Sequence, residues 1–96
     1  MSAYVIADVK VSDAQRYEGY KALSPAAIAA AGGEFIARGG QSAVFEGSWQ
    51  PERLVILKFP DLAAARAFYD SELYRQARAA RAGATERFNM VVVEGI

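Results

Sequence analysis

Arg53-Leu54-Val55-Ile56-Leu57-Lys58-Phe59-Pro60-Asp61 is the stretch on which the fold turns. Apolar residues fill consecutive positions in it rather than alternate ones, the pattern of a strand covered on both faces. Pro60 has no amide hydrogen with which to continue a ladder, and Asp61 is suited to cap a helix. Upstream, Ala3-Tyr4-Val5-Ile6-Ala7-Asp8-Val9-Lys10-Val11 is equally rich in β-branched residues and reads as a second such strand. Between the two, Ser12 and Gln15 have the spacing of a capping box, so a helix is expected from there. Tyr17, Tyr20 and Leu23 recur every third residue and define its inward face. Ser24-Pro25 predicts a fresh start, hence a kinked or broken helix to Ala31 that Gly32 ends.

Residues 34–38 and 42–46 are both strand-like and are separated by Gly39-Gly40, read as a bulge in one long bent strand. Gly47-Ser48-Trp49-Gln50-Pro51 has the better turn chemistry for a hairpin into residues 53–59. After Asp61, the spacing of Leu62, Ala65, Phe68 and Tyr69 predicts a helix, and Ser71 predicts a second cap before Leu73, Tyr74, Ala77 and Ala80. Gly83 closes that helix, and residues 87–94 form a last strand around Met90-Val91-Val92-Val93. Strand, helix, strand, strand, helix, strand is the split plan of the ferredoxin-like α+β class, an antiparallel sheet with helices on one face. Right-handed crossovers put strands one and three at its centre, where their apolar runs belong. A length of 96 residues predicts a single ferredoxin-like domain, 1–96.

Composition narrows the chemistry. Eleven basic residues balance eleven acidic ones, so there is no charge excess to hold nucleic acid or an anionic membrane, and neither is expected as a partner. There is no cysteine and no histidine, which removes disulfides, thiol nucleophiles, imidazole bases and histidine-bound haem. The acidic residues lack ligand-like spacing, so no metal and no cofactor are expected. The first ten residues show neither a basic leader nor a signal-peptide core, and a cytoplasmic protein is expected.

Helices cover one face of a sheet, yet the strong strands are apolar on both. Val5, Val9, Val55, Leu57, Phe59, Val91 and Val93 are expected on one face, and Tyr4, Ile6, Leu54, Ile56, Met90 and Val92 on the other. The uncovered set amounts to roughly 300 to 350 Å², comparable to the largest patches on ordinary monomers. At about 25 cal/mol per Å² its burial is worth about 8 kcal/mol. A homodimer packed sheet to sheet through that open face is the expected solution.

Tyr17 and Tyr20 before Pro25, Gly32-Gly33, Arg38-Gly39-Gly40, Glu46-Gly47-Ser48-Trp49, residues 53–60, Ala63-Ala64-Ala65, Tyr69-Asp70-Ser71, Tyr74 and Val93-Glu94-Gly95 together resemble the domain-of-unknown-function 1330 (DUF1330) family. The resemblance spans nearly the whole chain. That family in turn resembles the dimeric α/β-barrel superfamily, whose ferredoxin-like subunits pair their sheets and take ligands in a cleft between sheet and helices. The resemblance implies the fold, the dimer and the cleft, and brings no substrate and no catalytic residue. Haem-dependent and histidine-dependent chemistries of the superfamily need an imidazole that is absent here. Cofactor-free chemistry of the small monooxygenase type, or binding without turnover, stays open.

Several residues are candidates for that cleft. Arg38, beside Gly39-Gly40, is placed to aim a planar guanidinium at a carboxylate or enolate, or else to pair with Glu46. Glu46 is a general base if buried, and otherwise a partner for Arg38 or Arg53. Trp49 caps a pocket mouth or, as large aromatics more often do, anchors an interface. Tyr17 and Tyr20 either bring hydroxyls over the cleft or belong to the core. Asp8 and Asn89, polar among apolar neighbours, each need a partner, which is a ligand or backbone. Arg75, Arg78 and Arg81 step by three and read as a solvated helix face. Two functional readings follow. One is a homodimer binding a small, mostly apolar, carboxylated or phenolic metabolite, with Arg38 orienting the anion; if turnover follows, Glu46 or Asp8 is the base and Tyr17 or Asn89 the donor. The other is a non-catalytic association module whose cleft is filled by its own side chains. An open cavity at Arg38 favours the first, a packed one the second.

Overall fold

The computed structural model describes residues 1–96. Four strands, β1 (Ala3–Val11), β2 (Glu34–Arg38), β3 (Arg53–Phe59) and β4 (Thr85–Glu94), are joined by α1 (Ala14–Ala30) and by the pair α2 (Leu62–Asp70) and α3 (Glu72–Ala80). The sheet runs β2-β3-β1-β4 with every neighbour antiparallel, so the two densest strands are central and the fold is the ferredoxin-like α+β one. No helix is long and apolar enough to cross a membrane.

Alternation along β1 sends Ala3, Val5, Ala7 and Val9 beneath the helices, none of them more than 4% exposed. Phe59, Leu57 and Val55 of β3 lie opposite Ala3, Val5 and Ala7, and Val92, Met90 and Phe88 of β4 lie opposite Val5, Ala7 and Val9. Asp61 and Ser71 cap α2 and α3 as expected, accepting from the amides of Ala64 and Tyr74. The short helices deliver Phe68 and Tyr74 to the core, where the Phe68 ring sits 5.1 Å from Phe59 and 4.2 Å from Tyr74, centroid to centroid. Each such ring or aliphatic side chain, fully buried, contributes about 1.5–3 kcal/mol.

Helix α1 departs from expectation at both of its special positions. Its cap is Asp13, whose carboxylate accepts from the Arg16 amide at 3.0 Å, and not Ser12. The Ser12 amide is held instead by the Ala84 carbonyl at 2.9 Å, which keeps that residue in the turn out of β1. Ser24-Pro25 does not break the helix. Tyr17 and Tyr20 before the proline and Ala27 and Ile28 after it are buried in one core, and that packing carries the helix across the missing bond. Leu23 is 42% exposed and Ser24 is buried in its place, because a helix brings the position four residues after Tyr20 back over the same face.

Gly39-Gly40 is not a bulge. β2 ends at Arg38, and Gly39, at φ 69°, turns the chain away after one last bond from its amide to the Leu54 carbonyl at 2.8 Å. That left-handed conformation costs glycine nothing. Residues 42–46 then lie in an exposed loop and pair with no strand, while the irregularity in β2 falls between Phe35 and Ala37. β4 begins at Thr85, two residues early, and its faces are the reverse of those expected. Met90 and Val92 pack toward the helices, whereas Val91 and Val93 join Tyr4 and Ile6 on the open face and are 59% and 51% exposed. Met90-Val91-Val92-Val93 is apolar at every position, so only the register with β1 assigns its sides.

Candidate functional site

Tyr17 and Arg38 do meet, in a cleft between α1 and the sheet that also includes Phe35 and Arg53. The cleft is filled: about 20 Å³ remains, room for about one water. The Arg38 guanidinium lies over the Phe35 ring at 4.4 Å from its centroid. Burial pushes the Tyr17 phenol above its ordinary value, with the charge of Arg53 opposing. Deeper in, the Tyr20 and Tyr74 hydroxyls share a hydrogen bond of 2.6 Å. Burial first, and then Tyr74, push the Tyr20 phenol far above the phenol range. All three tyrosines are buried in the core, and the raised phenols of Tyr17 and Tyr20 stay neutral at working pH.

Asp8, Asn89 and Trp49 also come together, but on the open face of the sheet and not in a cleft under the helices. Asp8 and Asn89 are register partners on β1 and β4. Trp49, from the loop between β2 and β3, donates its indole Nε1–H to Asp8 Oδ2 at 3.0 Å, and Arg87 Nη2 donates to Asp8 Oδ1 at 3.1 Å. Burial of Asp8 opposes its ionisation, yet the hydrogen bonds from Trp49 and Arg87 and the charge of Arg87 outweigh it and hold the carboxyl below its ordinary value. A carboxylate held in this way is a weak base and a good anchor. Glu46 joins neither group: it is exposed and makes no ion pair, so neither Arg38 nor Arg53 has it as partner. The Arg87 contribution escaped sequence reasoning, because it depends on β4 lying beside β1 in one particular register.

The roomiest space under the helices lies elsewhere, between α2 and β4. It holds about 570 Å³, within the size range of small-molecule sites, and is lined by Val5, Ala65, Phe68, Phe88, Met90 and Val92. Polar side chains come from Arg66, Tyr69, Asp70 and Arg81. Arg81 lies over Phe88 at 3.7 Å from the ring centroid and 5.3 Å from that of Tyr20. Its Nε is buried with no hydrogen-bond partner. Arg78 lies over Tyr69 at 4.4 Å and donates to its hydroxyl at 3.1 Å. Of the three arginines expected on a solvated face, Arg78 and Arg81 are therefore laid on rings, whereas Arg75 is exposed beside Glu72. Their three-residue step was the only trace of this in the sequence, and it does not say which rings lie within reach. Such a cleft can hold a flat apolar body against Phe88, Met90 and Val92 and an anionic group at Arg81.

The sequence profile of DUF1330, a domain of unknown function, matches residues 2–96. No curated protein matches the chain. Among solved structures it is similar to the RPA0582 protein of unknown function from Rhodopseudomonas palustris, at TM-score 0.80 and 18% identity over 99% of this chain and 82% of that one. It is also similar to a dimeric ferredoxin-like protein of unknown function from Jannaschia sp. CCS1, at TM-score 0.73 and 17% identity over 99% of this chain and 100% of that one. A further likeness is to SnoaB, a cofactor-independent oxygenase from Streptomyces nogalater, at TM-score 0.64 and 12% identity over 99% and 93% of the two chains. At these identities the likeness is one of fold.

Proposed function

Because the chain belongs to the DUF1330 family, we propose that it is a homodimer, paired through the open sheet face, whose subunits each bind a small, mostly apolar, carboxylated or phenolic molecule between α2 and β4. The observation that carries this reading is Arg81. It takes part in none of the chain's four ion pairs, and of the four arginines whose Nε is buried without a partner, Arg53, Arg78, Arg81 and Arg87, it alone lines the cleft of about 570 Å³. A cation in that position lacks the partner that buried polar groups normally have, and a ligand carboxylate or phenolate would supply it. The orienting role expected of Arg38 passes to Arg81, since the space beside Arg38 is occupied. Pairing is supported by the dimeric relative from Jannaschia and by the exposed Val91 and Val93 of the open face. Because SnoaB is a cofactor-independent oxygenase, oxygen uptake with a bound phenol is the first turnover to assay.

A second reading, an association module without a ligand, draws on the filled cleft at Arg38 and Tyr17. Thermal unfolding across a panel of aromatic and aliphatic carboxylic acids separates the two. A ligand at a hundred times its Kd adds about 2.7 kcal/mol to stability and raises Tm by about ten degrees or more. The shift is expected to vanish in Arg81→Ala and to be absent for the uncharged amides of the same acids. A panel that moves nothing, or a shift that survives Arg81→Ala, leaves the association module as the reading.

A further inference from the structure

We propose that the loop between β2 and β3 is an arm that docks on a second copy of this chain, with Val44 and Phe45 packed against the partner's open sheet face. Residues 39–50 are all exposed, and between residues 40 and 52 no backbone group makes a backbone hydrogen bond. Phe45 is 95% exposed and Val44 48%. A loop this long with neither a ladder nor a core of its own is uncommon in a small domain and is usually functional. Residues 42–46 have strand-like chemistry, yet within one chain they find no strand and stay exposed. The loop is nevertheless fastened at one point, where Trp49 donates to Asp8 on the open face. Ser48, Trp49 and Gln50 thereby wall a trough whose floor includes Ile6, Asp8, Asn89 and Val91. The arm is continuous with the face through which pairing is proposed.

Area points to the same occupant. Four strands about 4.8 Å apart, of 9, 5, 7 and 10 residues at about 3.3 Å each, project a face of roughly 500 Å². Each partner in a stable complex buries about 800 Å² of accessible surface, and the arm adds its own to what the sheet face supplies. One molecule carries both halves of the contact: an apolar tip at Val44 and Phe45, and an apolar floor at Tyr4, Ile6, Ile56, Val91 and Val93. Two-fold pairing satisfies both at once. Residues 39–50 carry a single charged side chain, Glu46, so nothing marks the arm for a strongly charged partner.

The inference rests on the sheet-to-sheet pairing proposed above, and the experiment separates the two failures. Sedimentation of the full chain over a dilution series gives the dimer dissociation constant, and Trp49, the only tryptophan, reports on the arm through its emission and its quenching by acrylamide. Phe45→Ser is expected to weaken the dimer at least about thirtyfold, as for an interface hot spot. Dilution of the unmodified chain is expected to shift Trp49 emission to the red and speed its quenching. In Val44→Cys, which adds the chain's only thiol, reaction with a thiol reagent should be slow in the dimer and fast in the monomer. A dimer that Phe45→Ser leaves equally tight, with a thiol equally reactive at every concentration, overturns the arm and leaves the pairing standing. A chain that sediments as a monomer throughout overturns both.

Discussion

The indole of Trp49 and the carboxylate of Asp8 are joined at 3.0 Å across 41 positions of sequence, and this is the one side-chain hydrogen bond that fastens the loop between β2 and β3 to the sheet. Asp8 is 7% exposed, and its other oxygen is taken by Arg87. Together these bonds set how the open face responds to pH.

The folded-state pKa of Asp8 lies below its ordinary 3.8, so the stability it contributes is fully present above that value and is lost as pH falls through the lower, folded value. Asp8→Asn keeps an acceptor for Trp49 and removes the charge facing Arg87. It is expected to cost about 1–3 kcal/mol at pH 7, as for hydrogen bonds to charged groups. Urea unfolding of both proteins from pH 7 down to pH 2 should show the difference shrinking below about pH 4. A difference that stays constant across that range would contradict the assignment.

Tyr20 and Tyr74 share a short buried hydroxyl pair, with Tyr74 fully buried. Either single change, Tyr20→Phe or Tyr74→Phe, strands one buried hydroxyl and is expected to destabilise by about 1–3 kcal/mol. The double variant strands neither and should cost less than the two singles added. A double-mutant cycle in chemical denaturation measures the coupling; an additive result would show that each hydroxyl has another partner.

Pro25 sits inside a continuous α1 and withholds one amide hydrogen from it. Pro25→Ala restores the donor and a far better helix former, against a smaller loss from the greater freedom of the unfolded chain. A gain of about 1–2 kcal/mol is expected in urea unfolding at fixed protein concentration. Destabilisation would mean that the proline ring contributes packing that outweighs the bond.

Much of this molecule is legible from neighbouring residues alone. Asp61 and Ser71 each precede a helix they cap, and Pro60 stops β3, because capping and ladder breaking act within one helical turn. The candidate site was less legible. Arg81 reads as one of three solvated arginines until β4 brings Phe88 beneath it, and Arg38 reads as an anion-orienting group or a partner of Glu46 until Phe35 and Arg53 fill the space around it.

By itself the amino-acid order determined the two central strands, the split α2–α3 pair and the surplus of apolar strand surface, since density, spacing and caps are properties of short stretches. Tertiary structure alone decided that α1 runs unbroken through Pro25, that Val91 and Val93 face outward, that residues 42–46 find no strand, and that Arg81 lines the open cleft. Each of these turns on where distant segments cross: register, shared burial and ring stacking link residues dozens of positions apart, and no local pattern encodes which of them will meet.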